Sequence, residues 1–212
     1  LDRFRPLLRR RAHREPLQYI VGTAAFRELE LKVDGRVLIP RPETEVFVDE
    51  VLEWAVSHGG AAPRVLDLGT GSGAIALSLA LEGPFQSVVA TDASGDALAV
   101  ARTNAEAAEL TAKVEFREGS FFEPIRADEV FDVVVSNPPY VTEAEGRDLQ
   151  PEVAGWEPHS ALLGGPDGLD VIRGIVAGAE AHLRPGGLLA MEVGLGQAGP
   201  VVALLETAGG YD

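Results

Sequence analysis

Val65-Leu66-Asp67-Leu68-Gly69-Thr70-Gly71-Ser72-Gly73 is the stretch whose reading decides the fold. A short apolar run breaks into alternating glycines and then into Ala74 to Leu81, a run that suits a buried helix. Strand, glycine turn and helix in that order open a βαβ unit. Glycines at such a turn take positive φ without strain and let the backbone come close to a ligand. The alternation continues downstream. Ser87 to Thr91 reads as a second strand ending at Asp92, and Ser94 caps a helix through Asn104 to Ala108. Val114 to Phe116 and Phe131 to Val135 read as the third and fourth strands, and Leu169 to Leu183 as a helix. Arg184-Pro185-Gly186-Gly187 then turns into a fifth strand, Leu188 to Val193, and a last helix spans Ala198 to Ala208. The pattern predicts an α/β, doubly wound, mostly parallel, Rossmann-like sheet.

The residues before this unit change period. Residues 3–13 predict a helix, and Leu17 to Val33 predict strands because Phe26, Leu29, Leu31 and Val33 nearly alternate with polar residues. Gly22 marks a turn and Asp34-Gly35 carries a hairpin signal, so residues 15–38 read as a β-hairpin linker. In Ile39-Pro40-Arg41-Pro42-Glu43-Thr44-Glu45 the prolines hold the chain extended. The acids then favour the start of a helix that carries Val48, Val51, Leu52 and Ala55 at helical spacing.

The composition narrows the chemistry. The chain has 212 residues, 46% of them hydrophobic, and no apolar window of the roughly 18 residues that a membrane span needs. It has no Cys, which excludes disulfides and thiolate chemistry, and its four His are scattered without metal-ligand spacing. The net charge is −15, yet residues 1–14 hold six Arg against one Asp. The acidic body repels phosphate backbones and argues against a nucleic-acid substrate. The Arg-rich start reads as the solvated face of a helix, with Phe4, Leu7 and Leu8 on the other face.

Two stretches carry the chemistry. Asp92, 19 residues after Gly73, stands where a carboxylate accepts both hydroxyls of a ribose. Gly69-x-Gly71-x-x-Ala74 also fits a dinucleotide pattern, so a nicotinamide enzyme competes with an S-adenosylmethionine enzyme at this point. Asp67 favours the latter, because a carboxylate two residues before the loop can orient it and face an amino-acid moiety. So does Asn137-Pro138-Pro139-Tyr140, which follows Val133-Val134-Val135-Ser136 at a strand end. Its two prolines remove two N–H donors and stiffen the turn. The Asn137 side chain and the Pro138 carbonyl offer acceptors, and Tyr140 offers a flat face, a set suited to gripping an amide or amino group. The long segment 141–168, with Trp156 and Leu162-Leu163, reads as an ordered lid.

Q-Y-I-V-G (18–22), I-P-R-P-E-T-E (39–45), D-L-G-T-G-S-G (67–73) and V-S-N-P-P-Y (135–140) occur in that order. Together they resemble the HemK-type peptide-chain release factor glutamine methyltransferases, and Glu157-Pro158, Ala161-Leu162, Gly164-Gly165 and Asp167-Gly168-Leu169 are similar too. The resemblance implies a class I methyltransferase sheet over residues 39–212 and a cytoplasmic, monomeric enzyme. Its methyl donor would be S-adenosylmethionine, and its substrate the Gly-Gly-Gln glutamine of class-I release factors. By position, Gly69, Thr70, Gly71, Ser72 and Gly73 would hold the methionine part, Asp92 the ribose and Phe121 the adenine. Ser120 stands where the family often has Asp. Asn137, Pro138, Pro139 and Tyr140 would hold the substrate amide, with Asn137 touching the cofactor as well. Arg41, Pro42 and Thr44 either close over the cofactor or simply start a helix, and Glu192 reads as structural. Residues 1–14 would be the end of a larger N-terminal helical domain, and the two strands that follow the last helix in the family would be missing. An adenine-N6 nucleic-acid methyltransferase and a ribosomal-protein glutamine methyltransferase share N-P-P-Y and are the alternatives.

Overall fold

The computed structural model describes residues 2–58, 60 and 62–212. Five strands pair in parallel in the order β5 (Val114–Glu118), β4 (Ser87–Asp92), β3 (Arg64–Leu68), β6 (Phe131–Ser136), β7 (Leu183–Met191). Helix α4 (Ala74–Glu82) leaves β3, α5 (Gly95–Ala107) leaves β4, α7 (Asp170–Ala179) leads to β7, and α8 (Ala198–Ala208) follows it. The strands are apolar on both faces because helices cover both. Val65, Val88, Ala90, Val133 and Val135 pack against α4 and against α3 (Pro42–His58). Their neighbours Leu66, Leu68, Val89 and Val134 pack on the opposite side with Ile175 of α7. Strand order reverses between β3 and β6, where Leu68 stands opposite Ser136. In an open parallel sheet that reversal leaves a crevice beyond the carboxyl ends of the strands.

The N-terminal segment departs from the expected pattern in one place. Leu17–Val21 is a short helix, α2, closed by Gly22 at φ 89°, not the start of a strand. The hairpin pairs β1 (Thr23–Phe26) with β2 (Leu29–Lys32), so its turn is Arg27-Glu28 and not Asp34-Gly35. Arg27 takes φ 50°, a conformation that costs a non-glycine residue energy. Its guanidinium bonds Glu82 and Asp49 and donates to the Glu45 carbonyl. These tertiary contacts hold an arginine where a local signal would place Asn or Gly. Asp34 instead closes a turn after the hairpin, accepting from the Arg36 amide through its side chain and from the Val37 amide through its carbonyl.

Strand β7 starts earlier than the spacing suggests, at Leu183, and α7 ends at Ala179 in a single 3-10 turn. Phe131 pairs with Leu183 and Val133 with Leu188, so residues 184–187 bulge out of the ladder. Gly186, at φ 73°, makes that excursion without strain.

Asn104 of α5 ties the hairpin to the glycine loop. Its Oδ1 accepts from the Lys32 amide at 2.7 Å, and its Nδ2 donates to the Lys32 carbonyl at 3.1 Å and to the Ser72 carbonyl at 2.8 Å. The residue is buried, so removing it strands polar groups on two elements. Asn104→Ala is expected to lower unfolding free energy by about 2–3 kcal/mol, measured by urea denaturation, with an unchanged m-value.

Candidate functional site

A cavity of about 570 Å³ opens at the strand-order reversal. Its floor is Leu68-Gly69 and Gly71 on one side and Ser136 to Pro139 on the other. Gly69 and Gly71 both have positive φ (73° and 56°), which turns their backbone toward the cavity without a Cβ in the way. The amides of Gly69 and Thr70 both donate to the Thr91 carbonyl at 2.9 Å, and Ser136 Oγ donates to the Leu68 carbonyl at 2.8 Å. Three strand ends are thereby tied into one rim.

Asp92 stands on that rim. Its Oδ2 accepts from the Gly71 amide and its Oδ1 from the Ser94 amide, both at 2.9 Å. Burial raises its pKa, and these two amides offset that rise only in part. The carboxylate is oriented by backbone on one side and keeps lone pairs for hydroxyls on the other. Phe121 lines the same cavity at φ 49°, with its ring seated over Gly174, where any Cβ would lie 2.8 Å from Cζ. Gly119, Ser120, Val171 and Ile175 complete this wall. Ser120 donates its amide to Glu123 at 3.0 Å.

Other residues of the glycine loop lie behind the wall. Thr70, Ser72 and Gly73 are absent from the cavity lining. Thr70 Oγ1 donates to Asp67 Oδ2 at 2.7 Å, Ser72 offers its carbonyl to Asn104, and Gly73 starts α4 against Leu77 and Ala101. Asp67 is fully buried, and its second oxygen, Oδ1, has no hydrogen bond of normal geometry. Desolvation pushes its pKa up to about 7, against a smaller downward pull from Thr70 and the Ala76 amide. Asp67 is therefore a brace beneath the loop and does not line the cavity.

Asn137, Pro138 and Pro139 are on the cavity wall. Among the described residues, neither Asn137 Oδ1 nor the Pro138 carbonyl accepts a hydrogen bond. Tyr140 sits beside them, outside the lining, with its ring on Gly194 and its carbonyl held by Gln197 Nε2 at 3.0 Å. Its phenol pKa is raised by burial and by the nearby Glu192. Thr44, buried on the first turn of α3, also stands off the cavity and receives the Asn137 amide at 3.1 Å.

Segment 141–168 folds over this region as an ordered flap. Val141 bridges Leu163, and α6 (Pro151–Ala154) sits within the flap. Gly168, at φ 76°, passes so close to Tyr140 that a Cβ would lie 2.3 Å from its carbonyl oxygen. Glu157, nearly buried, accepts two bonds from Arg41 Nη2 at 2.7 and 2.8 Å. Flap residues Pro158, Ser160 and Ala161, with Arg36 to Leu38 beyond the hairpin, form the cavity's outer wall. Sequence reasoning did not place 36–38 at the site, nor the pinning role of Asn104. A polar residue on the buried face of α5 is the one signal for the latter.

The fold and the glycine rim define an S-adenosylmethionine-dependent methyltransferase of the doubly wound class. Residues 44–153 match the family described as "Methyltransferase small domain". The chain is 51% identical over 196 residues to the release factor glutamine methyltransferase of Gloeobacter violaceus, covering 92% of this chain and 68% of that protein. It is 49% identical over 208 residues to the protein of the same name from Geobacter sulfurreducens, covering 98% and 71%. A solved structure of the hMettl16 catalytic domain in complex with the MAT2A 3'UTR hairpin 1 shares the fold, with a TM-score of 0.66 at 19% identity over 86% of this chain and 67% of that one. The chain belongs to the release factor glutamine methyltransferase family.

The raised pKa of Asp67 gives a pH signature. A carboxyl whose folded pKa (about 7) exceeds its unfolded value (3.8) favours folding below the unfolded pKa, and this contribution is lost as pH rises through the folded pKa. Asp67→Asn cannot ionise. The stability of wild type relative to this variant is expected to fall between about pH 4 and 7, by up to about 4 kcal/mol, and then level off. Denaturant titrations of both proteins at each pH measure it.

Proposed function

We propose that this protein transfers the methyl group of S-adenosylmethionine to the side-chain amide nitrogen of the glutamine in the Gly-Gly-Gln motif of class-I release factors. The observation that carries this reading is the pair of unoccupied acceptors, Asn137 Oδ1 and the Pro138 carbonyl, beside the glycine rim in a chain of this family. An amide –NH2 has two N–H donors, which this pair matches.

The cavity suits the cofactor. Its volume is within the range of small-molecule sites, and it joins a carboxylate and exposed backbone to an apolar wall of Phe121, Val171 and Ile175. Asp92 would accept the ribose hydroxyls, the Gly69–Gly71 turn would lie along the methionine part, and Phe121 would flank the adenine. When bound, S-adenosylmethionine supplies a methyl group activated on a sulfonium.

An amide nitrogen is a weak nucleophile because its lone pair is delocalised into the carbonyl. The chain's contribution is orientation. Asn137 Oδ1 and the Pro138 carbonyl accept the two N–H bonds, fix the nitrogen and direct its lone pair across the cavity. Such positioning lowers a barrier by up to about 7–11 kcal/mol in well-oriented systems. The two prolines keep both acceptors in place without a competing backbone donor. Tyr140 walls the amide off from water, and the flap, latched by Arg41 to Glu157, covers the cavity. No described helix is long and apolar enough to cross a membrane, and the protein would work as a cytoplasmic monomer on a protein partner.

The direct test supplies methyl-labelled cofactor and a class-I release factor and locates label by peptide mass spectrometry. One methyl on the Gly-Gly-Gln glutamine is expected; label elsewhere, or on nucleic acid instead, overturns the reading. Two variants separate the roles. Asp92→Ala should weaken S-adenosylhomocysteine about tenfold or more by calorimetry. Asn137→Ala should lower kcat at least about a hundredfold while the cofactor Kd moves much less.

A further inference from the structure

Two residues distant in sequence meet behind Asn137. Thr44 is on the first turn of α3, Glu192 is one residue beyond β7, and Asn137 is one residue beyond β6. The Glu192 amide donates to the Ser136 carbonyl at 3.0 Å, which clamps Glu192 to the residue preceding Asn137. Thr44 Oγ1 donates to Glu192 Oε2 at 2.7 Å, and Asn137 Nδ2 donates to Thr44 Oγ1 at 3.1 Å. We propose that Thr44 and Glu192 are positioning residues that impose one of the two possible orientations on the Asn137 carboxamide, and through it select an –NH2 group in the substrate. The proposal rests on the methyl-transfer reading above.

The argument is one of donors and acceptors. The single hydroxyl proton of Thr44 is given to Glu192 Oε2. What the hydroxyl then presents to Asn137 is lone pairs. Only the –NH2 end of the carboxamide can approach lone pairs, so Oδ1 is turned away from Thr44. The chain of donation runs from Asn137 to Thr44 to Glu192.

The consequence is substrate selection. With Oδ1 presented, Asn137 accepts from glutamine –NH2. In the reverse orientation its own –NH2 would face the substrate –NH2, donor against donor, while Oδ1 met the Thr44 oxygen. A glutamate side chain, which only accepts when ionised, finds no donor at Oδ1 or at the Pro138 carbonyl. A site that offers acceptors and no donor at this point disfavours such an analogue. Glu192 thus controls discrimination without touching the substrate. Among the described residues, Thr44 is the one side chain hydrogen-bonded to both Asn137 and Glu192, and it is 4% exposed, so water does not compete readily for its hydroxyl.

Three substitutions test the relay. Thr44→Val keeps the shape and removes the hydroxyl; Thr44→Ser keeps the hydroxyl; Glu192→Gln replaces the carboxylate by a group that can accept or donate. Thr44→Val is expected to lower kcat by about tenfold to a hundredfold, with KM for the release factor and Kd for S-adenosylhomocysteine close to wild type and a modest fall in Tm. Thr44→Ser should restore most of the loss. Glu192→Gln should fall between, because both orientations of Asn137 become populated. The orientation is also read without turnover, from the side-chain –NH2 signals of Asn137 in nitrogen-15 spectra, assigned by their loss in Asn137→Ala. One slowly exchanging proton is expected in wild type and Thr44→Ser, and none in Thr44→Val. Wild-type kcat in Thr44→Val overturns the relay, and so does an equal loss in Thr44→Ser or an unchanged Asn137 signal in Thr44→Val. If wild type leaves the glutamine unlabelled but this signal is present, the orientation stands and the methyl-transfer reading fails.

Discussion

The parallel pairing of β3 with β6, with Leu68 opposite Ser136, is the constraint on which the site depends. Each strand ends at the same level of the sheet, and each hands on to a loop with unusual backbone. After β3 the glycines turn the chain under the cavity; after β6 the prolines stiffen it along the wall. Because strand order reverses between these two strands, the loops diverge and leave a crevice instead of covering it. The strands are buried on both faces by α3, α4 and α7, so their ends have little freedom to shift. Thr91, at the end of β4, receives both amides of the glycine turn and extends the rigid rim to a third strand.

Around that rim, polar side chains are used as ties between elements more than as ligands. Asn104 joins β2 to the glycine loop, Arg27 joins the hairpin to α3 and α4, and Arg41 joins the start of α3 to the flap. Asp67 belongs to the same set: its burial is tolerated because the carboxyl protonates readily, its pKa lying near 7. The loops that carry function are thus held by hydrogen bonds that converge from distant parts of the chain. The flap passes within contact of Tyr140 only because Gly168 has no side chain.

Much of this was legible before any coordinates. The alternation of apolar runs and helical stretches identified all five parallel strands and their helices, because strands buried on both faces read as continuous apolar runs. Gly69, Gly71, Asp92, Phe121, Asn137, Pro138 and Pro139, singled out by motif, do line one cavity. Less legible were features set by long-range contacts. Arg27 holds a left-handed turn that its own neighbours do not encode, so the local turn signal pointed to Asp34-Gly35 while the hairpin turns at Arg27-Glu28. Thr70, Ser72 and Gly73 share the loop with Gly69 and Gly71 but are buried against Asp67, Asn104, Leu77 and Ala101, a distinction set by tertiary contacts and not by residue type.

The sequence by itself determined the class of fold, the strand ends that bear chemistry and the residue types that stand there. Those properties follow from local periodicity, from glycine and proline backbone limits and from hydrogen-bonding capacity, all of which are written residue by residue. Only the tertiary structure decided how Asn137 is turned. Thr44 and Glu192 lie 148 residues apart and are brought within 2.7 Å by the packing of α3 against the end of β7. The orientation of an amide depends on which donors and acceptors surround it in space, and no spacing along the chain records that.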